Sequence, residues 1–194
     1  MMGVKLDDLD FRLIHRLQED GRISITDLAE RVGSSRPTVT NRLKRLVDEG
    51  LVVVNGGLSL GRLGFKMACV GLEVMNGDER RGVEECLEGC PRVLSVFRTC
   101  GKANVHLSMW GEDDQTVNSM IESLRDYPNV DIVYSHYLGT PIHGDVRIRL
   151  EPAGQRGPPC GRICSKCSRY VNGWCMGCPC SADYRNPLLE RPEP

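Results

Sequence analysis

Six of the ten cysteines in this 194-residue chain lie beyond residue 159: Cys160, Cys164, Cys167, Cys175, Cys178 and Cys180. Cys164/Cys167 and Cys175/Cys178 are two Cys-x-x-Cys pairs, and thiolates at that spacing can each turn a knuckle toward one ion. The segment is too short and too poor in apolar residues to fold on a core of its own, so the pattern predicts a metal or cross-links in that role. A closed four-thiolate Zn2+ site built from Cys164, Cys167, Cys175 and Cys178 is the simplest solution. A [4Fe–4S] cluster is the alternative. Cys160-x-x-x-Cys164-x-x-Cys167 can hold three of its corners, and Cys178-Pro179 is a Cys-Pro of the kind that closes cluster motifs. Copper or a thiol/disulfide switch is a third option. Cys160 and Cys180 exceed what one zinc needs, and a spare thiol beside a metal suits a redox or soft-metal sensor as well as a structural staple. Tyr170, Trp174 and Tyr184 are expected to form the module's small apolar cap. Cys69, Cys86, Cys90 and Cys100 are scattered and read as small buried hydrophobes, although Cys86 and Cys90 share a helix face at i, i+4.

A formal net charge of −1 gives no global attraction to nucleic acid, so any such attraction must be local. Met1 to Asp8 lacks the apolar core of a signal peptide, and no apolar run approaches a membrane span. The chain is therefore expected to be cytoplasmic, where paired cysteine knuckles favour metal over disulfides.

The apolar spacing divides the chain. Residues 1–55 read as three helices. Leu9, Leu13 and Leu17 form one face of the first, which Gly21 ends. Thr26 caps the second, with Leu28, Ala29 and Val32 inward, and Gly33 turns the chain. Ser35 caps the third, with Val39, Leu43 and Leu46 inward and Gly50 at its end. Two helices joined by a tight Gly turn make a helix-turn-helix. Leu51–Val54 fits a short strand, and residues 56–64 a glycine-rich linker. Residues 65–150 then read β-α-β-β-α-β: strands 65–75, 93–99, 105–110 and 130–138, with helices 78–88 and 113–125. This is a ferredoxin-like α+β arrangement. A Pro/Gly linker (151–159), the cysteine module (160–189) and a polar tail (190–194) follow.

From Arg31, at the end of the second helix, to Arg45 of the third, the charges are all positive. Ser35, Arg36, Thr38, Thr40, Asn41, Arg42, Lys44 and Arg45 are the candidate contacts to double-stranded DNA. Arg, Asn and Thr suit base edges, and the longer cations suit phosphates. Phosphate loops, serine elbows and His-Glu-x-x-His are missing from the sequence, so it offers no catalytic constellation.

Leu6-Asp7-Asp8-Leu9-Asp10, the stretch from Val32 to Leu46, and Glu49-Gly50-Leu51-Val52 together resemble the Lrp/AsnC (feast/famine) family of transcription regulators. The resemblance spans about residues 5–140, and in the second domain it is carried by topology and the Gly101-x-x-Asn104 turn. It implies a non-enzymatic regulator that binds DNA through its N-terminal domain. It also implies a homodimer, or a higher oligomer, assembled through the ferredoxin-like domain. Gly101 and Asn104 mark the family's effector turn, but amino-acid-sensing members usually carry Asp where Asn104 stands, which argues against an amino-acid effector. Siroheme decarboxylases share the two-domain plan, and for such a tetrapyrrole enzyme His106 and His136 would be the residues to suspect. A cysteine module that only docks a partner protein is the remaining alternative.

Overall fold

The computed structural model describes residues 5–144, 146–149, 154 and 157–189. The tail 190–194 and most of the 151–159 linker lie outside the described residues. The chain divides into two compact units, Met1–Gly56 and Gly57–Pro194.

In the first unit, α1 (Asp8–Glu19), α2 (Ile25–Val32) and α3 (Arg36–Asp48) pack around buried Leu13, Leu28, Ala29, Val32 and Val39. Leu46 of α3 is also fully buried. Each start is set by a side chain that satisfies an otherwise orphaned amide. Asp7 and Asp10 form a reciprocal capping box on α1, and Ser35 accepts from the Thr38 amide on α3. Ser24, not Thr26, caps α2: its hydroxyl accepts from the Asp27 amide and in turn donates to the Asp27 carboxylate. Gly33 closes α2 at φ 65°, a left-handed conformation that glycine adopts without penalty. Leu51–Val54 is not a strand: the amides of Leu51 and Val52 turn back to the Leu46 carbonyl, at 2.9 and 3.1 Å.

The stretch 56–64, which opens the second unit from Gly57 on, is not a bare linker. It holds β1 (Leu58–Ser59), which pairs with β6 (Arg147–Ile148), and a short helix, α4 (Leu60–Leu63). Leu60 and Ile148 bury against Met67 and Trp110 in a small satellite core. The main sheet comprises β2 (Lys66–Val74), β3 (Val93–Arg98), β4 (Val105–Gly111) and β5 (Val130–Leu138), antiparallel in the order β3-β4-β2-β5. With α5 (Gly77–Glu88) and α6 (Asp114–Leu124) this is the ferredoxin-like order that the sequence predicts. One sheet face supplies Ala68, Val70, Leu72, Val105, Leu107 and Met109 to the core, where α5 adds Val83 and Leu87 and α6 adds Val117 and Ile121.

The opposite face carries Phe97, His106, Tyr134 and His136 in mutual ring contact. His106 Nδ1 lies 2.8 Å from the Tyr134 hydroxyl. Gly71 makes room for this cluster: a Cβ there would stand 2.3 Å from a Tyr134 ring carbon. Gly71→Ala is therefore expected to displace that ring and to cost about 1–3 kcal/mol, read as a lowered thermal midpoint. An unchanged midpoint would mean the ring swings aside freely.

Beyond the sheet, residues 157–189 hold a 3-10 turn (Cys164–Lys166) and one helical turn, α7 (Ser168–Val171). This segment lies on the sheet domain. Ser119 of α6 donates to the Trp174 carbonyl at 2.6 Å, and Arg162 and Arg169 both reach the Asp126 carboxylate, at 2.7 and 2.9 Å. The expected aromatic cap does not form. Trp174 is half-exposed, Tyr170 donates to the Asp183 carbonyl under the Arg185 guanidinium, and Tyr184 reaches Glu112 of the sheet domain.

Candidate nucleic-acid interface and cysteine-lined cavity

The outward face of α3 begins at a capped, positively polarised N-terminus, where anions are favoured. Arg36, Thr38, Thr40, Asn41 and Lys44 are all exposed there, and Arg31 of α2 is exposed as well. Ser35 is committed to capping, with its hydroxyl 2.8 Å from the Thr38 hydroxyl.

Arg42 and Arg45 sit differently. Arg42 Nη1 lies 2.7 Å from the Asp7 carboxylate and 3.4 Å from Asp10, while Arg45 Nη2 lies 2.5 Å from Asp10. Asp10 is fully buried. The two guanidiniums are only about a third exposed, at 34% and 37%. They tie the recognition helix to the start of α1, while Arg36 and Lys44 are the more exposed cations of α3. Asp7 is held below the ordinary carboxylate range, chiefly by the Asp10 amide and then by Arg42.

Asn104, half of the expected effector turn, spends its amide on the backbone. It accepts from Val74 N–H at 3.0 Å and donates to the Val74 carbonyl at 2.9 Å. Gly101 supplies the positive φ of the turn, at 106°.

The cysteines of the C-terminal segment meet the sheet domain around a cavity of about 100 Å³. Cys160, Cys164, Cys167, Cys175 and Cys178 line it from one side, Cys86 and Cys90 from the other. Arg92, Arg162 and Arg169 also line it. Cys180 is buried beside it, its sulfur 3.2 Å from that of Cys178. The Cys86 sulfur lies 2.7 Å from the Tyr127 hydroxyl and its thiol donates to the Pro159 carbonyl. Burial pushes the Cys90, Cys164, Cys175 and Cys178 thiols up from their ordinary value. Among the described residues, no group of three or more His, Cys, Asp or Glu side chains is arranged to hold a metal ion. Sequence reasoning missed the part played by Cys86 and Cys90; their i, i+4 spacing was the available signal, but nothing local links it to a segment some seventy residues on. No described helix is long and apolar enough to cross a membrane.

Comparison with known proteins agrees with this geometry. Residues 6–53 match a family model described as winged helix-turn-helix DNA-binding. The Bkd operon transcriptional regulator of Pseudomonas aeruginosa is 33% identical over 113 residues, 56% of this chain and 74% of that protein. The leucine-responsive regulatory protein of Rhizobium meliloti is 29% identical over 138 residues, 69% of this chain and 88% of that protein. Among solved structures, a transcriptional regulator from Neisseria meningitidis in complex with L-Met superposes with a TM-score of 0.65 at 27% identity, over 75% of this chain and 97% of that one. Bacillus subtilis LrpC superposes with a TM-score of 0.62 at 25% identity, over 72% and 99%. These relatives are named as regulators and not as enzymes.

Proposed function

This chain belongs to the Lrp/AsnC family of DNA-binding transcriptional regulators, and from that premise we propose that it binds a two-fold-symmetric operator as a homodimer, with a response to metal or redox state supplied by its C-terminal thiols. The observation that carries the DNA reading is the outward face of α3, where Arg36, Thr38, Thr40, Asn41 and Lys44 stand exposed beside a capped helix start. Asn41 suits the paired donor and acceptor of adenine, and Lys44 suits a phosphate. Arg42 and Arg45 act as positioning residues, because their guanidiniums hold α3 against α1.

Support for a dimer is the sheet face that bears Phe97, His106, Tyr134 and His136, with Phe97 55% exposed. A two-fold operator for such a dimer offers half-sites one turn of duplex apart, about 34 Å. Support for thiol control is the surplus of cysteines around one cavity. The metal or oxidant that changes those thiols would change how the C-terminal segment sits on the sheet domain, and so the geometry of the dimer.

Footprinting on DNA upstream of the protein's own gene, at about 50 mM salt, tests the first half. Asn41→Ala is expected to cost about 1–3 kcal/mol and to relax base preference at one position. Lys44→Ala is expected to weaken all sequences alike and to flatten the salt slope by about one unit. Absence of protection on every fragment would overturn the reading. Operator affinity compared between reduced metal-loaded, apo and oxidised protein tests the second half, and equal affinity in all three would remove thiol control.

A further inference from the structure

The cavity between the sheet domain and the C-terminal segment holds more space than one ion fills. Zinc holds its sulfurs at about 2.3 Å, which puts them about 3.8 Å apart with nothing but the ion between. Among the described residues no such close grouping exists. The thiols instead stand around about 100 Å³ of space, where a single water needs about 10–15 Å³. A larger inorganic body, whose thiolates stand farther apart, fits that void.

Of the seven lining cysteines, Cys164 has the Ser181 side chain as a hydrogen-bond partner, which a ligating sulfur can keep, and two others are committed elsewhere. Cys86 is hydrogen-bonded to Tyr127 and Pro159, and the Cys178 sulfur is in contact with that of Cys180. Cys90 belongs to the wall, just past the end of α5. The C-terminal segment is left with Cys160, Cys164, Cys167 and Cys175, the first three in the Cys-x-x-x-Cys-x-x-Cys spacing that holds three corners of an iron–sulfur cubane. The surroundings suit a compact anion. Leu87, Met109, Met120 and Leu124 make the wall apolar. Arg92 is balanced by Glu112, but Arg162 and Arg169 share the single carboxylate of Asp126, leaving one positive charge over.

We propose that Cys160, Cys164, Cys167 and Cys175 hold a [4Fe–4S] cluster in this cavity, against a floor that α5 and its following residues supply. The proposal deepens the thiol-control half of the proposed function and rests on it. The cluster would bind the C-terminal segment to the sheet domain, because its ligands come from one and its enclosing wall from the other.

The test uses the full-length protein, purified without oxygen and supplied with ferrous iron and sulfide or, separately, with zinc. About four irons and about four sulfides per chain are expected, with a broad absorption near about 400 nm that bleaches on reduction by dithionite. Cys164→Ser and Cys175→Ser are expected to lose that absorption, whereas Cys178→Ser and Cys90→Ala keep it. Far-ultraviolet circular dichroism checks that each variant folds. Cys160→Ser, at an exposed position, stands in for any that does not and should also lose the absorption. Loss in Cys178→Ser, or retention in Cys175→Ser, overturns the ligand assignment. Uptake of one zinc without iron or sulfide overturns the cluster but leaves metal control standing. Uptake of neither overturns both.

Discussion

Replacing Arg92 with alanine is expected to lower the unfolding free energy of the second unit by about 3–5 kcal/mol, the effect of stranding a buried charge. The Arg92 and Glu112 side chains are 3% and 4% exposed and meet at 2.6 Å. The second guanidinium nitrogen of Arg92 donates to the Gly177 carbonyl at 2.6 Å, and the group lies over the Trp110 and Tyr184 rings at 5.1 and 5.6 Å. The Tyr184 hydroxyl donates to the other oxygen of Glu112. One cation thus joins the sheet domain to residues 177 and 184 of the C-terminal segment, and removing it leaves Glu112 without its counter-charge and Gly177 without its donor. Tyr184→Phe removes only one hydrogen bond to a charged acceptor and should cost less, about 1.5–3 kcal/mol. Urea denaturation followed by tryptophan fluorescence checks both. Trp110 lies inside the network and Trp174 lies in the attached segment, so the two tryptophans report both sides of the joint. A wild-type midpoint for Arg92→Ala would show that the segment is held by other contacts. The joint has an alkaline limit too. Burial, then Glu112, holds the Tyr184 phenol above its ordinary range, so its contribution is complete below about pH 10 and is lost as pH rises beyond it.

Sequence alone located what short-range chemistry decides. Ser35, Gly33 and the Val39–Leu46 stripe set α3 through contacts a few residues apart, and the β-α-β-β-α-β order follows from periodicity. What it missed depends on partners far along the chain. For Arg42 and Arg45, which read as DNA contacts, a helical wheel cannot show that their guanidiniums also meet Asp10, more than thirty residues earlier. The C-terminal segment read as a separate module because Arg92 and Gly177 are 85 positions apart. The choice of Thr26 over Ser24 as a cap was a narrower miss, between two hydroxyls two residues apart that only the Asp27 contacts separate.

Asp10→Ala is expected to destabilise the first unit by about 2–4 kcal/mol. Its carboxylate is fully buried, pairs with Arg45 and Arg42, and accepts from the Asp7 amide to complete the capping box of α1. The loss should fall short of that for a fully enclosed pair, because both guanidiniums keep about a third of their surface in water and can rehydrate. Thermal unfolding of the N-terminal unit, read by circular dichroism, measures the cost. The same variant separates scaffold from contact. Asp10 never reaches the outward face of α3, so it should weaken operator binding only through the fraction of chains with a misplaced recognition helix. At a temperature where the unit is fully folded, the salt slope of Asp10→Ala should equal that of the unaltered protein, while Lys44→Ala gives a shallower one. An unchanged thermal midpoint together with a shallower slope would move Arg42 and Arg45 from the scaffold to the phosphate contacts.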